Sequence, residues 1–244
     1  MSSLKFHFSA KKRKIACLFP INVYNNHRNE FFNIGYRGMR IAFFGGTFDP
    51  PHLGHTGLAG QALRHRLTDL VLFVPAWMPP HKPGRAVTPF EQRMEMLERA
   101  VAGKPGFAVS DIERRLALSP SYTIDVLAAL DREYPADRIQ LMIGADSLEQ
   151  LHSWQDGFRL GAERELIVYP RPGYRPDAAR LRRHWPEELI PKLLASQYPL
   201  ETFDISSTEI RRGASSGEKF DNRMEKSVYE YILEQNLYEM NEDI

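Results

Sequence analysis

The sequence has one cysteine, Cys17, no internal repeat and no low-complexity tract. A single thiol excludes an internal disulfide framework and a metal cluster built from cysteine, and it suits a reducing cytoplasm. Long apolar runs are missing too. The longest candidates, such as LVLFVPA at residues 70–76, stay under about ten residues where a membrane helix needs ~20, so the chain reads as soluble with no membrane partner. Net charge is nearly absent, 32 Lys and Arg against 31 Asp and Glu, but the balance is uneven along the chain. Residues 1–38 carry seven basic side chains against one acid, which leaves 25 against 30 in the remainder. An acidic body excludes a general nucleic-acid binder.

What is present is enough apolar content, 43% of 244 residues, to close one large core, so residues 39–244 are expected to form a single domain. Residues 1–38 show no sustained period. A targeting peptide fits them poorly, because the apolar stretch after KKRK is broken by Pro20 and Asn22 and no small-residue cleavage site follows. KKRK could serve as a nucleic-acid arm. The favoured reading is a basic, disordered or non-functional extension, with Met39 as the working start.

From Met39 two periods alternate. MRIAFF, LVLFVPA, FAVSDIE, IQLMIGA and ELIVYPR are short, rich in β-branched and aromatic residues and almost continuously apolar, as buried parallel strands are. Between them PFEQRMEMLERAVA places Met94, Leu97 and Val101 on one helical face, and SYTIDVLAALDREY places Ile124, Leu127 and Leu130 together behind a Ser121 cap. LETFDI, residues 200–205, is a further strand candidate. Strand and helix in alternation predict an α/β fold, a Rossmann-like doubly wound parallel sheet with helices on both faces. The Pro- and Arg-rich residues 171–188 read as an excursion from that sheet.

The first strand runs into GGTFDPPHLGH, residues 45–55. Gly45 and Gly46 allow a tight turn with bare backbone, and the following helix points its N-terminus and free N–H groups at one spot, which suits phosphate. Asp49 can cap the loop, and Pro50 and Pro51 stiffen it. His52 and His55, three apart, project from the first turn together. Zinc is the other chemistry for such a pair, but no third ligand follows on this helix. A second element, DISSTEIR at residues 204–211, puts Ser206 and Ser207 at a helix start, with Glu209 able to complete a capping box.

GGTFDPPHLGH resembles the signature of the nucleotidylyltransferase superfamily, in which an HxGH follows a GxFDPxH-like turn. PAWMPPHKP, PSYTIDVL, GADSLEQLHSW and YPRPGY narrow the likeness to nicotinate-nucleotide adenylyltransferases of bacterial type, over residues 39–238. EKFDNRMEK departs from the pattern, where a more apolar entry to the last helix is expected. The resemblance implies that ATP, with Mg²⁺, lies along Gly45, Gly46, Thr47, Phe48, His52 and His55. Gly144 and Asp146 then lie near the adenosine, and Ser206, Ser207, Thr208 and Arg211 at the far phosphates. It makes Lys82 a second cation for the phosphates and sets nicotinate mononucleotide against Tyr122, Thr123, Trp154 and Arg171. It implies adenylyl transfer to that acceptor in NAD biosynthesis, giving deamido-NAD and pyrophosphate, with no metal held by protein side chains alone. Nicotinamide mononucleotide or phosphopantetheine as acceptor, a nucleotide-binding protein without turnover, and an RNA-binding role led by the basic arm remain alternatives. Oligomeric state is left open.

Overall fold

The computed structural model describes residues 38–78, 87–216 and 219–238, and the backbone of two short strands before them. Residues 1–37 and 38–244 separate into two units. In the first, Val23–Asn25 pairs antiparallel with Glu30–Phe32, a pairing that no sequence period announces. The second holds a five-stranded, all-parallel sheet.

Its strands are β1 (Arg40–Gly46), β2 (Leu70–Pro75), β3 (Phe107–Val109), β4 (Arg138–Gly144) and β5 (Leu166–Tyr169), in spatial order 3-2-1-4-5. Side chains alternate between the faces. Ile41, Phe43, Leu70, Leu72 and Val74 turn to one face and Ala42, Phe44, Val71 and Phe73 to the other. Over the first lie α3 (Ile112–Leu116), α4 (Thr123–Glu133), α5 (Ala145–Gln150) and α6 (Gly157–Glu163), contributing Ile112, Leu127, Leu130, Leu148 and Leu160. Over the second lie α1 (Leu53–Arg64), with Leu58, Ala59 and Ala62, and α2 (Phe90–Val101), with Leu97. The expected doubly wound architecture is therefore present. Phe73, with no exposed surface, contacts the rings of Phe44, Phe48 and Phe107; truncating such a side chain costs about 3–5 kcal/mol.

The excursion at residues 171–188 carries a short helix, Ala178–Leu181, and buries Leu181 and Trp185 against the first face. A six-residue helix, Ile190–Ala195, follows. We number these α7 and α8. After them α9 (Ser207–Ser215) and α10 (Lys226–Glu234) pack Ile210, Val228 and Ile232 on Met96 and Ala100 of α2. At the entry to α10, the segment that departs from the family pattern buries Phe220 and Met224 around the 3₁₀ turn Asp221–Arg223.

Four local expectations change. The third strand stops at Val109, because Ser110 makes the last bond to Phe73 O and its hydroxyl then accepts Ile112 N to start α3. LETFDI is not a strand. The edge of β5 gains only the Val168–Gln197 bridge, and Pro199 has no N–H with which to continue it. Ser121 does not cap α4, since the helix begins at Thr123 and Tyr122 holds the cap position without a side-chain bond. On α2 the buried residues are Phe90, Arg93, Met96, Leu97 and Ala100, while Met94 and Val101 are only half-buried. A buried arginine displaced the apolar stripe from where hydrophobicity alone placed it.

Candidate active site

In this strand order the chain reverses direction across the sheet between β1 and β4, and open α/β sheets bind ligands outside the carboxyl ends of such a pair. Gly46 and Gly144 are those ends. Beyond Gly46 the chain turns at Phe48, whose φ of +50° lies in the left-handed region. The Phe48 ring folds back into the core, 4.9 Å from the His55 ring and 5.8 Å from Phe44. A β-carbon on Gly46 would come to 3.0 Å from the tip of that ring, so a larger residue here would push the Phe48 ring out of its place in the core.

The start of α1 is where the structure adds most. His52 is the cap residue: its Nδ1 accepts Gly54 N at 3.1 Å, and His55 Nδ1 accepts His52 N at 3.2 Å. The two rings stack with centroids 3.7 Å apart. The Asp49 carboxylate accepts the Tyr238 hydroxyl at 2.7 Å.

With both Nδ1 atoms accepting, each neutral ring carries its proton on Nε2 and has one N–H left to donate. Burial, then the charge of Arg171, lowers His52 to about 4. Burial, then His52 and Arg171, hold His55 well below the usual imidazole range. A helix N-terminus opposes a cation in the same sense. The pair is neutral at pH 7.

The second motif docks on the first. Ser206 caps α9 by accepting Glu209 N at 3.1 Å, Ser207 Oγ donates to Pro50 O at 2.8 Å, and Arg211 donates through Nη1 to Asp49 O and through Nη2 to Thr208 Oγ1. Residues 206–211 are thereby held beside residues 49–50, although they are 157 positions apart at the serine contact. Arg171 lies against Gly144, where a β-carbon would meet its Cγ at 3.0 Å, and its Nε stands 3.7 Å from Asp146 Oδ1. The structure therefore groups Arg171 with Gly144, Asp146 and the histidines. Asp146 Oδ1 makes no hydrogen bond.

Of the remaining residues, Thr47 is exposed and follows Gly46 directly. Tyr122, 41% exposed, and Thr123 stand at the start of α4, where no side chain caps the helix. Trp154 is half-buried on the first-face core. Lys82 lies outside the described residues. Sequence reasoning missed Arg93, Glu113 and Tyr238. Glu113, on α3, accepts Trp77 N at 3.0 Å, and burial raises its pKa. Arg93 was signalled only by a charge four residues before Leu97 on a buried face. Tyr238 gave no signal at all.

A family model described as cytidylyltransferase-like matches residues 43–213. A relative in Thermus thermophilus, named "Probable nicotinate-nucleotide adenylyltransferase", is 39% identical over 200 residues, covering 82% of this chain and 100% of its own. One of the same name in Symbiobacterium thermophilum is 38% identical over 201 residues, covering 82% and 95%. Among solved structures, Plasmodium falciparum nicotinic acid mononucleotide adenylyltransferase complexed with NaAD superposes with a TM-score of 0.64 at 21% identity, over 84% of this chain and 99% of that one. A protein of Vibrio parahaemolyticus, described as "a Putative Nicotinate-nucleotide Adenylyltransferase", gives 0.58 at 21% identity over 82% and 94%. These two likenesses carry the parallel-sheet fold, while the sequence relatives carry the family: the chain belongs to the nicotinate-nucleotide adenylyltransferases of the cytidylyltransferase-like group.

Proposed function

We propose that the protein transfers the adenylyl group of ATP to nicotinate mononucleotide, giving deamido-NAD and pyrophosphate. The observation that carries this reading is the histidine capping box at the start of α1, which leaves two neutral N–H donors beside a helix N-terminus. A phosphate oxygen of the acceptor attacks the α-phosphorus of ATP. The new P–O bond forms as the bond to the α,β-bridging oxygen breaks, and pyrophosphate leaves with that electron pair. The attacking group is already an anion, so no general base is needed.

The protein's work is alignment and charge stabilisation. His52 and His55 donate to the α-phosphate as charge grows there. Gly45, Gly46, Thr47 and Phe48 line the phosphate turn. Ser206, Ser207, Thr208 and Arg211 face the β- and γ-phosphates, where a planar permanent cation is well matched to two oxygens, with Lys82 as a second cation. Gly144 and Asp146 face the adenosine. Tyr122, Thr123 and Trp154 receive the mononucleotide, and Arg171, beside Gly144 and Asp146, reaches it from the adenosine side of the site. Among the described residues no three His, Cys, Asp or Glu side chains converge to hold a metal. Mg²⁺ would be carried on the triphosphate with its waters. When bound, it neutralises charge on the phosphates.

No helix among the described residues is long and apolar enough to cross a membrane. The basic residues 1–38 take no part in this reading, and a cytoplasmic setting suits it.

The experiment is pyrophosphate release from ATP with nicotinate mononucleotide, nicotinamide mononucleotide and phosphopantetheine in parallel. Turnover with nicotinate mononucleotide supports the proposal. Turnover with phosphopantetheine alone, or with no acceptor, overturns it.

A further inference from the structure

Arg93 is 1% exposed, and its guanidinium donates to three backbone carbonyls: Thr88 at 2.8 Å, Thr47 at 2.9 Å and Ala76 at 2.8 Å. These come from the turn after β1, the segment after β2 and the residues leading into α2. Burial lowers the Arg93 pKa, and Asp49, Tyr238, Glu113 and Glu91 oppose that shift by their charge. An arginine remains cationic under such conditions. Nothing in the capping-box chemistry uses it.

The geometry of a trans peptide says what the bond to Thr47 O does. In the unit joining Thr47 to Phe48, the carbonyl and the following N–H point in opposite directions. Fixing Thr47 O on Arg93, on the protein side, turns the Phe48 N–H to the other side. Phe48 sits at φ +50°, a left-handed conformation that a bulky side chain rarely adopts. Rotating that one peptide by half a turn would bring Phe48 to an ordinary negative φ. It would also exchange an N–H for a carbonyl oxygen in the turn, replacing a phosphate donor with a repelling acceptor.

We propose that Arg93 is a positioning residue for ATP: by holding Thr47 O it locks the strained Thr47–Phe48 peptide with its N–H toward the triphosphate. The bond to Ala76 O ties the same guanidinium to the segment that follows β2, so the turn is referenced to the sheet rather than left to the ligand to arrange. The inference rests on ATP binding at this turn, and it does not depend on which acceptor is used.

The test compares Arg93→Lys, Arg93→Ala and Ile232→Ala. Ile232 is buried in the apolar cluster that α10 makes with α2 and makes none of the hydrogen bonds that hold the turn, so its truncation reports loss of packing. Thermal midpoint, KM for ATP, KM for the acceptor and affinity for a non-hydrolysable ATP analogue are measured for each. Lysine keeps the charge, but its donors sit on a single nitrogen and cannot span the three carbonyls that Nε, Nη1 and Nη2 reach separately. We expect Arg93→Lys to weaken ATP and analogue binding tenfold or more with the acceptor KM changed less than threefold, and free guanidinium ion to restore binding saturably in Arg93→Ala. Ile232→Ala should lower the thermal midpoint and keep both KM values. Analogue affinity in Arg93→Lys within twofold of wild type, or a loss matched by Ile232→Ala at equal midpoint, would overturn the inference. Should Arg93→Ala fail to fold, Arg93→Lys decides alone. A wild-type protein that binds no ATP analogue would instead overturn the proposed function.

Discussion

The two halves of the site are built differently. Around residues 46–55 the backbone is tied from every side: Arg93 holds Thr47 O, Arg211 holds Asp49 O, Ser207 holds Pro50 O, Tyr238 holds the Asp49 carboxylate, and the two histidines cap α1. At the start of α4 no side chain caps the helix and Tyr122 is largely exposed. Preorganised donors contribute most where charge develops in the transition state, because they need not reorganise at that moment. On the proposed reading, the half that meets the reacting phosphorus is preset, and the half that would meet the acceptor begins at a helix start with no side-chain cap. The difference predicts rate effects in the first half and selectivity effects in the second.

The sharpest way to break this contrast is to separate the two jobs of the histidines. His55→Ala should lower the rate about 10²-fold or more through loss of one preorganised donor. His52→Asn should cost a similar factor while keeping the cap, so its thermal midpoint stays near wild type, whereas His52→Ala loses both, the cap being worth about 1 kcal/mol. Turnover and thermal midpoints on the same preparations check this. An Asn variant with wild-type rate would reduce His52 to a structural cap.

Acid should separate the halves next. A histidine held near 4 when folded, against 6.5 when free, binds fewer protons in the folded state over that window. Stability is then present above pH 6.5 and is lost as the pH falls toward 4. For His52 the loss is on the order of 3 kcal/mol, at about 1.4 kcal/mol per pH unit. Denaturant titrations at stepped pH should show it, with the slope reduced in His52→Asn. Turnover should show no imidazole ionisation between about pH 6 and pH 8, since the donors are neutral throughout.

The acceptor half should respond in ratio rather than in rate. Uncapped N–H groups at Tyr122 and Thr123 can donate to either oxygen of a carboxylate. A carboxamide would set donor against donor, at a cost of about 1–3 kcal/mol. kcat/KM should therefore favour nicotinate mononucleotide over its amide at least tenfold, and Trp154→Ala should weaken both while leaving most of the ratio. Equal efficiencies would remove this half from specificity.

The smallest expected effect is at the other end of the chain. A protein beginning at Met39 should keep its thermal midpoint and turnover within about twofold, because the motifs of both halves lie beyond that residue. Aggregation or loss of most activity would show that residues 1–38 support the domain.

Much of this was legible in residue order. Strand and helix periods, the glycines of β1, the paired histidines and the Ser206 cap are local features, set by side chains within one or two turns of each other. The apolar stripe of α4 was read correctly for the same reason. The stripe of α2 was not, because periodicity treats a charge as surface and Arg93 is a buried charge whose carbonyl partners lie up to 46 positions away in the chain. The edge strand expected at residues 200–205 failed because pairing depends on a neighbour's register and free donors, which Pro199 interrupts. Sequence alone determined that a glycine turn and then two histidines three residues apart follow the first strand. Only the tertiary structure decided that those histidines are neutral, cap the first turn of α1 through Nδ1 and keep their remaining protons on Nε2, and that Arg93, Arg211, Ser207 and Tyr238 hold the turn. Proton position and peptide orientation follow from the partners that long-range packing brings within hydrogen-bond reach, and those partners have no fixed spacing in the chain.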